Sequence, residues 1–263
     1  VGRRREELFA RLGKDMPDAR ILDVFRLPTD YHNLKVLVKS RGEDCRRLLM
    51  AGGRWDPEQL LSDYRQRELR DFLPAETAQA VQQARQALAE TGNGQACDLV
   101  LDGTCFRELT RLADAVDCPA LTDYLRTRID GVNLCSAVRA HRLRKGPDFL
   151  HRVLLEGGSV PPAALEEADL RELYAATPLR EAAGLAEGIC AGGGSMTALE
   201  KQCDNAVLHL AAKARRTPFG VETALGYLIA AEAELIAVRT IMTGRRAGLS
   251  ADTIRERLRD IYG

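Results

Sequence analysis

Two aspartates stand in matching settings, Asp30-Tyr-His-Asn33-Leu34-x-x-x-Val38-Lys39 and Asp130-Gly-Val-Asn133-Leu134-x-x-x-Val138-Arg139. Two carboxylates are the minimum equipment for acid–base chemistry, provided their surroundings push their proton affinities apart. A plainer use is open to the same residues. An acidic group in the first turn of a helix complements the macrodipole and caps free N–H groups. An asparagine one turn later can bond a neighbouring backbone or a sister unit. Polar groups that recur at equivalent points of a repeat favour this tying role over catalysis.

The remaining candidates for chemistry are sparser. His32, His141, His151 and His209 stand apart, with no H-E-x-x-H and no close His/Cys pairing. Cys203-Asp204 and Asp102-x-x-Cys105 lack a histidine at useful spacing, so no activated thiol is nominated. Gly192-Gly-Gly194-Ser195 lacks the Gly-Lys-Ser/Thr ending of a phosphate loop and follows no strand, which leaves it a linker. Gly52-Gly53 and Gly157-Gly158 are expected at helix ends, where glycine takes the left-handed conformation. No catalytic, cofactor-binding or metal-ligating residue is nominated.

The elements that carry these residues are repeated. Leu49-Met-Ala-Gly52-Gly53-x-x-x-Pro57-x-x-Leu60 returns as Leu154-Leu-Glu-Gly157-Gly158-x-x-x-Pro162-x-x-Leu165. The offset is 105 here against 100 for the first block, so five residues are inserted near Lys145-Gly-Pro-Asp148. A worn third version holds Glu232-Ala-Glu234-Leu-Ile-Ala-Val238-Arg239, then Gly248-Leu-Ser-Ala-Asp-Thr-Ile254. Each unit reads as helix, glycine-containing turn, proline or polar N-cap, helix. The expected segments are 1–75, 76–185 and 186–263, the first of them incomplete. Asp30, Asn33, Lys39, Asp130, Asn133, Arg139, Glu232, Glu234 and Arg239 are its structural signature.

Composition bounds the reading. The 263 residues are 45% hydrophobic and 29% charged but only 5% aromatic, a globular balance that favours helix over strand. Lys plus Arg equals Asp plus Glu at 38 each, so no basic excess points to nucleic acid and no acidic excess marks a tail. No run approaches the roughly 18 apolar residues of a membrane span, and the charged N-terminus lacks the apolar region of a signal peptide. Seven scattered cysteines without C-x-x-C suit a reducing, cytosolic setting. The start at Val1-Gly2 rather than Met suggests a piece of a longer protein.

Helical periodicity runs through the chain, and the fold class expected is all-α. Ala224, Leu228, Ala231, Leu235, Val238 and Met242 form a seam at three- and four-residue spacing. Pro218 and Phe219-Gly220 are expected to start that helix, with Gly244 and Gly248 at its end. Pro74-Ala-Glu76 opens another helix that runs to about Ala89 and stops at Gly92-Asn-Gly94. Ser250 is a candidate N-cap ahead of Ile254.

Asp130-x-x-Asn133-Leu134 with Arg139 resembles the D-x-x-N-[IL]-K…R motif of the C subunits of archaeal and bacterial A/V-type ATPases, whose eukaryotic counterpart is the d subunit. Glu232-Ala-Glu234-Leu-Ile-Ala-Val-Arg239-x-Ile-x-x-Gly244-Arg245 is similar to that family's C-terminal signature, and Val100-Leu101-Asp102-x-x-x-Phe106 to another of its patterns. The likeness runs from about Ile21 to Leu258. It departs at Ala231, where a lysine commonly precedes the glutamate, and at Lys39, where the second copy has Arg139. The helices that open the family's first unit are missing.

The resemblance implies three all-helical units in a pseudo-threefold, funnel-like socket. The central shaft, made of the D and F subunits, enters this socket, and its other face rests on the membrane rotor ring of proteolipid subunits. It implies a peripheral protein on the cytoplasmic face of the cell membrane, with no active site and no cofactor. Such a protein transmits torque between ATP chemistry and proton or sodium transport. The alternatives are a generic α-helical repeat scaffold binding a helical partner and an all-α enzyme. Against the scaffold, a period near one hundred residues far exceeds the roughly 34–47 of common helical solenoids. Against the enzyme stands the lack of a nucleophile–base pair, metal set or phosphate loop.

Overall fold

The computed structural model describes residues 2–16, 18–66, 69–166, 169–214 and 220–260, and among these it holds helices and turns but no strand. In chain order the helices are α1 (Gly2–Asp15), α2 (Arg20–Ser40), α3 (Pro57–Gln66), α4 (Leu69–Phe72), α5 (Ala75–Thr91), α6 (Gly94–Val116) and α7 (Pro119–Arg142). They continue as α8 (Pro147–Val153), α9 (Leu170–Leu173), α10 (Arg180–Cys190), α11 (Met196–Ala214), α12 (Val221–Arg246) and α13 (Ala251–Arg257). Short 3-10 turns occupy Arg46–Leu48 and Pro162–Leu165.

Local chemistry sets several of these limits. Asp56 caps α3 by accepting the N–H groups of Glu58 and Gln59 at 3.0 and 2.9 Å. Gly92 ends α5 in the left-handed region at φ 63°. Ser250 caps α13 by accepting the Thr253 N–H at 3.2 Å. The start of α12 expected at Pro218 and Phe219 lies outside the described residues.

The chain gathers into two compact units, Gly2–Val116 and a second that begins at Asp117. This division falls inside the 76–185 segment, because the α5–α6 hairpin packs back onto α2 while α7 opens a new core. The repeat boundaries describe recurrence of sequence rather than compactness.

Each unit is organised by one long helix that is buried around its circumference, and such a helix must be covered on every side. In the first unit α2 buries Ile21, Leu22, Val24, Phe25, Leu27, Leu34, Leu37 and Val38 under α5 and α6. In the second, α7 buries Leu121, Leu125, Ile129, Leu134 and Val138 under α10 and α11. The glycine run 191–195 is the tight turn between α10 and α11, with Gly192 and Gly194 at positive φ.

Helix α12 departs from the expected pattern. It packs along α11 with Leu225, Leu228 and Ile229 buried, yet Val238 and Met242 of the predicted seam are 44% and 60% exposed. Periodicity reports an apolar stripe; it does not say what covers it. Gly244 does not stop the helix either. It lies buried inside it, where a Cβ would come within 2.7 Å of Ile254 Cγ1, so its bareness admits α13. Arg246 is the last helical residue, and Gly248 turns the chain at φ 72°.

One repeat position therefore meets two environments, with Val38 and Val138 at 1% and 0% exposure and Val238 at 44%. Val38→Ala and Val138→Ala should each cost about 2 kcal/mol, from lost apolar burial plus the cavity left behind. Val238→Ala should stay within about 0.5 kcal/mol. Urea unfolding of the three variants reads the difference directly, and equal losses would sink this account of the core.

Candidate functional site

Asp30 and Asp130 lie in the middle of α2 and α7, not in a first turn, so the capping role expected for them is not the one they have. Both, with Asn33 and Asn133, are at most 1% exposed. What they meet is the irregular backbone that crosses each long helix at 49–55 and 154–160. Such backbone has no helical ladder to satisfy its polar groups.

The asparagines close that gap. Asn33 Nδ2 donates to the Met50 carbonyl and its Oδ1 accepts the Met50 N–H, both at 2.8 Å. Asn133 grips Leu155 the same way, again at 2.8 Å in both directions. The spans are 17 and 22 residues, and the difference of five is the insertion, taken up around α8. One turn earlier, Asp30 Oδ1 accepts the N–H groups of Arg54 and Trp55 at 2.9 and 3.3 Å. Asp130 accepts those of Ser159 and Val160 at 3.0 and 3.1 Å. The bonds stay within each unit; they do not join sister units.

The glycine pairs belong to the same joint and do not end helices. Gly52 and Gly157 turn the loop at φ 91° and 96°. Gly53 and Gly158 are needed for space instead: a Cβ on either would overlap the aspartate Oδ1 and sit 3.1 Å from its Cγ.

The two joints differ in electrostatics. Arg54 reaches Asp30 through Nε and Glu108 through a terminal nitrogen, each at 2.8 Å, and its guanidinium lies 4.7 Å from the Trp55 ring centre. Tyr31 donates to Glu108 at 3.0 Å. Ser159 replaces the arginine in the second unit, where the Tyr174 hydroxyl donates to the Asp130 carbonyl at 3.3 Å. Burial pushes the Asp30 carboxyl above its ordinary range, against the pull of Arg54. Burial does the same to Asp130, against the amides of Val160 and Ser159. With their oxygens taken by loop amides and no solvent access, these carboxyl groups hold structure together.

The other signature residues fall elsewhere. Lys39 Nζ lies 2.6 Å from the Asp98 carboxylate on α6, and Arg139 pairs with Glu200 on α11. Glu232, Glu234 and Arg239 are on α12, with Glu234 and Arg239 exposed. At the same offset on α12 stand Ala230 and Ala233, so that helix carries no such polar pair.

Candidates for chemistry are similarly absorbed. Asp102 pairs with Lys35 at 2.7 Å, Asp204 with Arg259, and His151 with Glu166 at 2.7 Å. A cavity of about 440 Å³ beside the end of α7 is lined by His141, Arg142, Arg144, Cys190 and the glycine turn. Among the described residues no group of three or more His, Cys, Asp or Glu side chains is placed to hold a metal ion.

Known proteins are similar to this sequence over most of its length. The family model described as ATP synthase (C/AC39) subunit matches residues 7–257. The C subunit of the V-type sodium ATPase of Enterococcus hirae is 24% identical over 270 residues, spanning all of this chain and 81% of that protein. The C subunit of the V-type ATP synthase of Thermus thermophilus is 30% identical over 235 residues, or 84% of this chain and 68% of that protein.

The joint makes a sharp prediction about two glycines. Gly158→Ala must displace the Asp130 carboxylate and should cost about 2–4 kcal/mol. Gly146, with open space around its Cβ position and φ −78°, should accept alanine within about 0.5 kcal/mol. Asn133→Ala, which strands a buried N–H and C=O together, should also cost about 2–4 kcal/mol. Thermal and denaturant unfolding of the three variants test the set; a benign Gly158→Ala would overturn the close approach.

Proposed function

The chain belongs to the ATP synthase (C/AC39) subunit family, and on that premise we propose that it is a non-catalytic central-stalk component of a V/A-type rotary ATPase. In this reading it couples the shaft, made of the D and F subunits, to the membrane ring of proteolipid subunits, on the cytoplasmic face of the membrane. ATP synthesis or hydrolysis is thereby linked to proton or sodium transport. The three repeated segments, 1–75, 76–185 and 186–263, stand around a pseudo-threefold axis in the same proposal. Asp30, Asn33, Lys39, Asp130, Asn133 and Arg139, with Glu232, Glu234 and Arg239, serve as its structural signature.

The observation that carries the reading is the duplicated joint. A torque-bearing part must resist shear between its helices and loops, and a buried bidentate amide beside a buried carboxylate fixes a loop at two points one turn apart. Two further features support it. Tyr227, Val238 and Met242 make an exposed apolar stripe along α12, of the kind that marks a surface covered in an assembly. No described helix is long and apolar enough to cross a membrane, which suits a part seated on a ring.

Reconstitution tests the proposal. An ATPase assembled without this chain should hydrolyse ATP but lose ion transport, and adding the chain back should restore coupling. Val238→Glu with Met242→Glu should keep the Tm of the isolated chain within a few degrees while weakening its association with the shaft–ring assembly by about tenfold or more. Coupling that survives depletion, or ATP turnover by the chain alone, would remove this function.

A further inference from the structure

The two units tie their long helix to the neighbouring hairpin by two rungs, and one rung has changed its chemistry. The outer rung is ionic in both units, Lys39 with Asp98 and Arg139 with Glu200. The inner rung is the Lys35–Asp102 ion pair in the first unit. At the corresponding point of the second, Cys135 on α7 faces Cys203 on α11, with Sγ···Sγ 3.9 Å. Cys135 takes the place of Lys35, 100 residues on, while the outer-rung acids are 102 apart, which puts Asp204 at the place of Asp102 and Cys203 one residue before it.

Everything around the pair brings the helices close. Gly131, one turn before Cys135, offers no side chain, and a Cβ there would stand 3.3 Å from the Cys203 Cβ. Leu134, Val138, Leu199 and Ala206 enclose the sulfurs in the apolar core. Both cysteines are buried but not sealed, at 6% and 7% residue exposure.

We propose that Cys135 and Cys203 are an oxidisable pair that a small peroxide converts to a disulfide, adding a covalent rung beside the ionic one. The Cys135 thiolate attacks one peroxide oxygen; the O–O bond breaks, hydroxide leaves, and a sulfenic acid forms on Sγ. Cys203 then attacks that sulfur, the S–O bond breaks, and the Cys203 proton leaves with the departing oxygen as water. Two thiols lose two electrons and two protons, and one peroxide becomes two waters. The order follows from the pair itself: the contact with Cys203 holds the Cys135 thiol below the usual cysteine range, while the same contact and burial push Cys203 up. The bond closes a 68-residue span of the second unit and clamps α7 to α11.

The reduced full chain is treated with hydrogen peroxide under native conditions, free thiols are alkylated, and the digest is read by mass spectrometry. The expected product is a peptide joining Cys135 to Cys203, lighter by two hydrogens and lost on adding a reductant. Tm should rise by roughly 5–15 °C on oxidation. Cys135→Ser and Cys203→Ser should each abolish both the link and the shift, and Cys190→Ser should keep both. Peptide mapping of the unsubstituted chain stands without any variant. A different pairing, a link that forms only after denaturation, a sulfinic acid at Cys135 instead of a bond, or a bond with no rise in Tm would each overturn the proposal.

Discussion

Irregular backbone laid across a buried helix must have its N–H and C=O groups satisfied from within, because water cannot reach them. This constraint explains why a helix interior here contains aspartate and asparagine at all. A side-chain amide offers a donor and an acceptor together, which satisfies both the N–H and the C=O of one residue. Asn33 and Asn133 do so for Met50 and Leu155, and the carboxylates one turn earlier take the next exposed amides. With the loop held that near, no Cβ fits at Gly53 or Gly158. Polar pair, glycine pair and loop thus form one device.

Much of the device is legible in the sequence, because each part leaves a distinctive residue type at a repeated spacing. Asp, Asn and Gly-Gly recur at offsets of 100 and 105, and the difference points to the insertion that α8 absorbs. What the residues bond to is not legible. A helical aspartate suggests a cap when only its neighbours in sequence are known, and its real partners lie 24 to 30 residues away. Arg54 and Glu108 carry even less signal, since 54 residues separate them and neither recurs in the second copy. The α12 seam shows the converse difficulty: its spacing is clear, but an apolar stripe reads the same whether a neighbour covers it or solvent does.

The copies have diverged in chemistry while keeping their geometry. Both long helices meet a helical hairpin, both end in a base paired to an acid, and both carry the amide grip. Between those fixed points, an ion-paired lysine has become a cysteine facing a second thiol, and an arginine bridge has become a serine. At the same offset α12 has alanine where the polar grip would be, and its turn runs into α13 packed over Gly244.

The exchange of Arg54 for Ser159 gives the two units different thermal characters. The cost of stripping water from buried charges falls as temperature rises, whereas the worth of apolar burial levels off. The Asp30–Arg54–Glu108 cluster is therefore at its poorest in the cold and gains ground on heating, while the hydrogen-bonded Asp130 joint lacks that compensation. One polypeptide thus carries two versions of the same fastening. Three charged partners meet at one and a single carboxyl group sits among amides at the other, so the temperature term weighs more on the first.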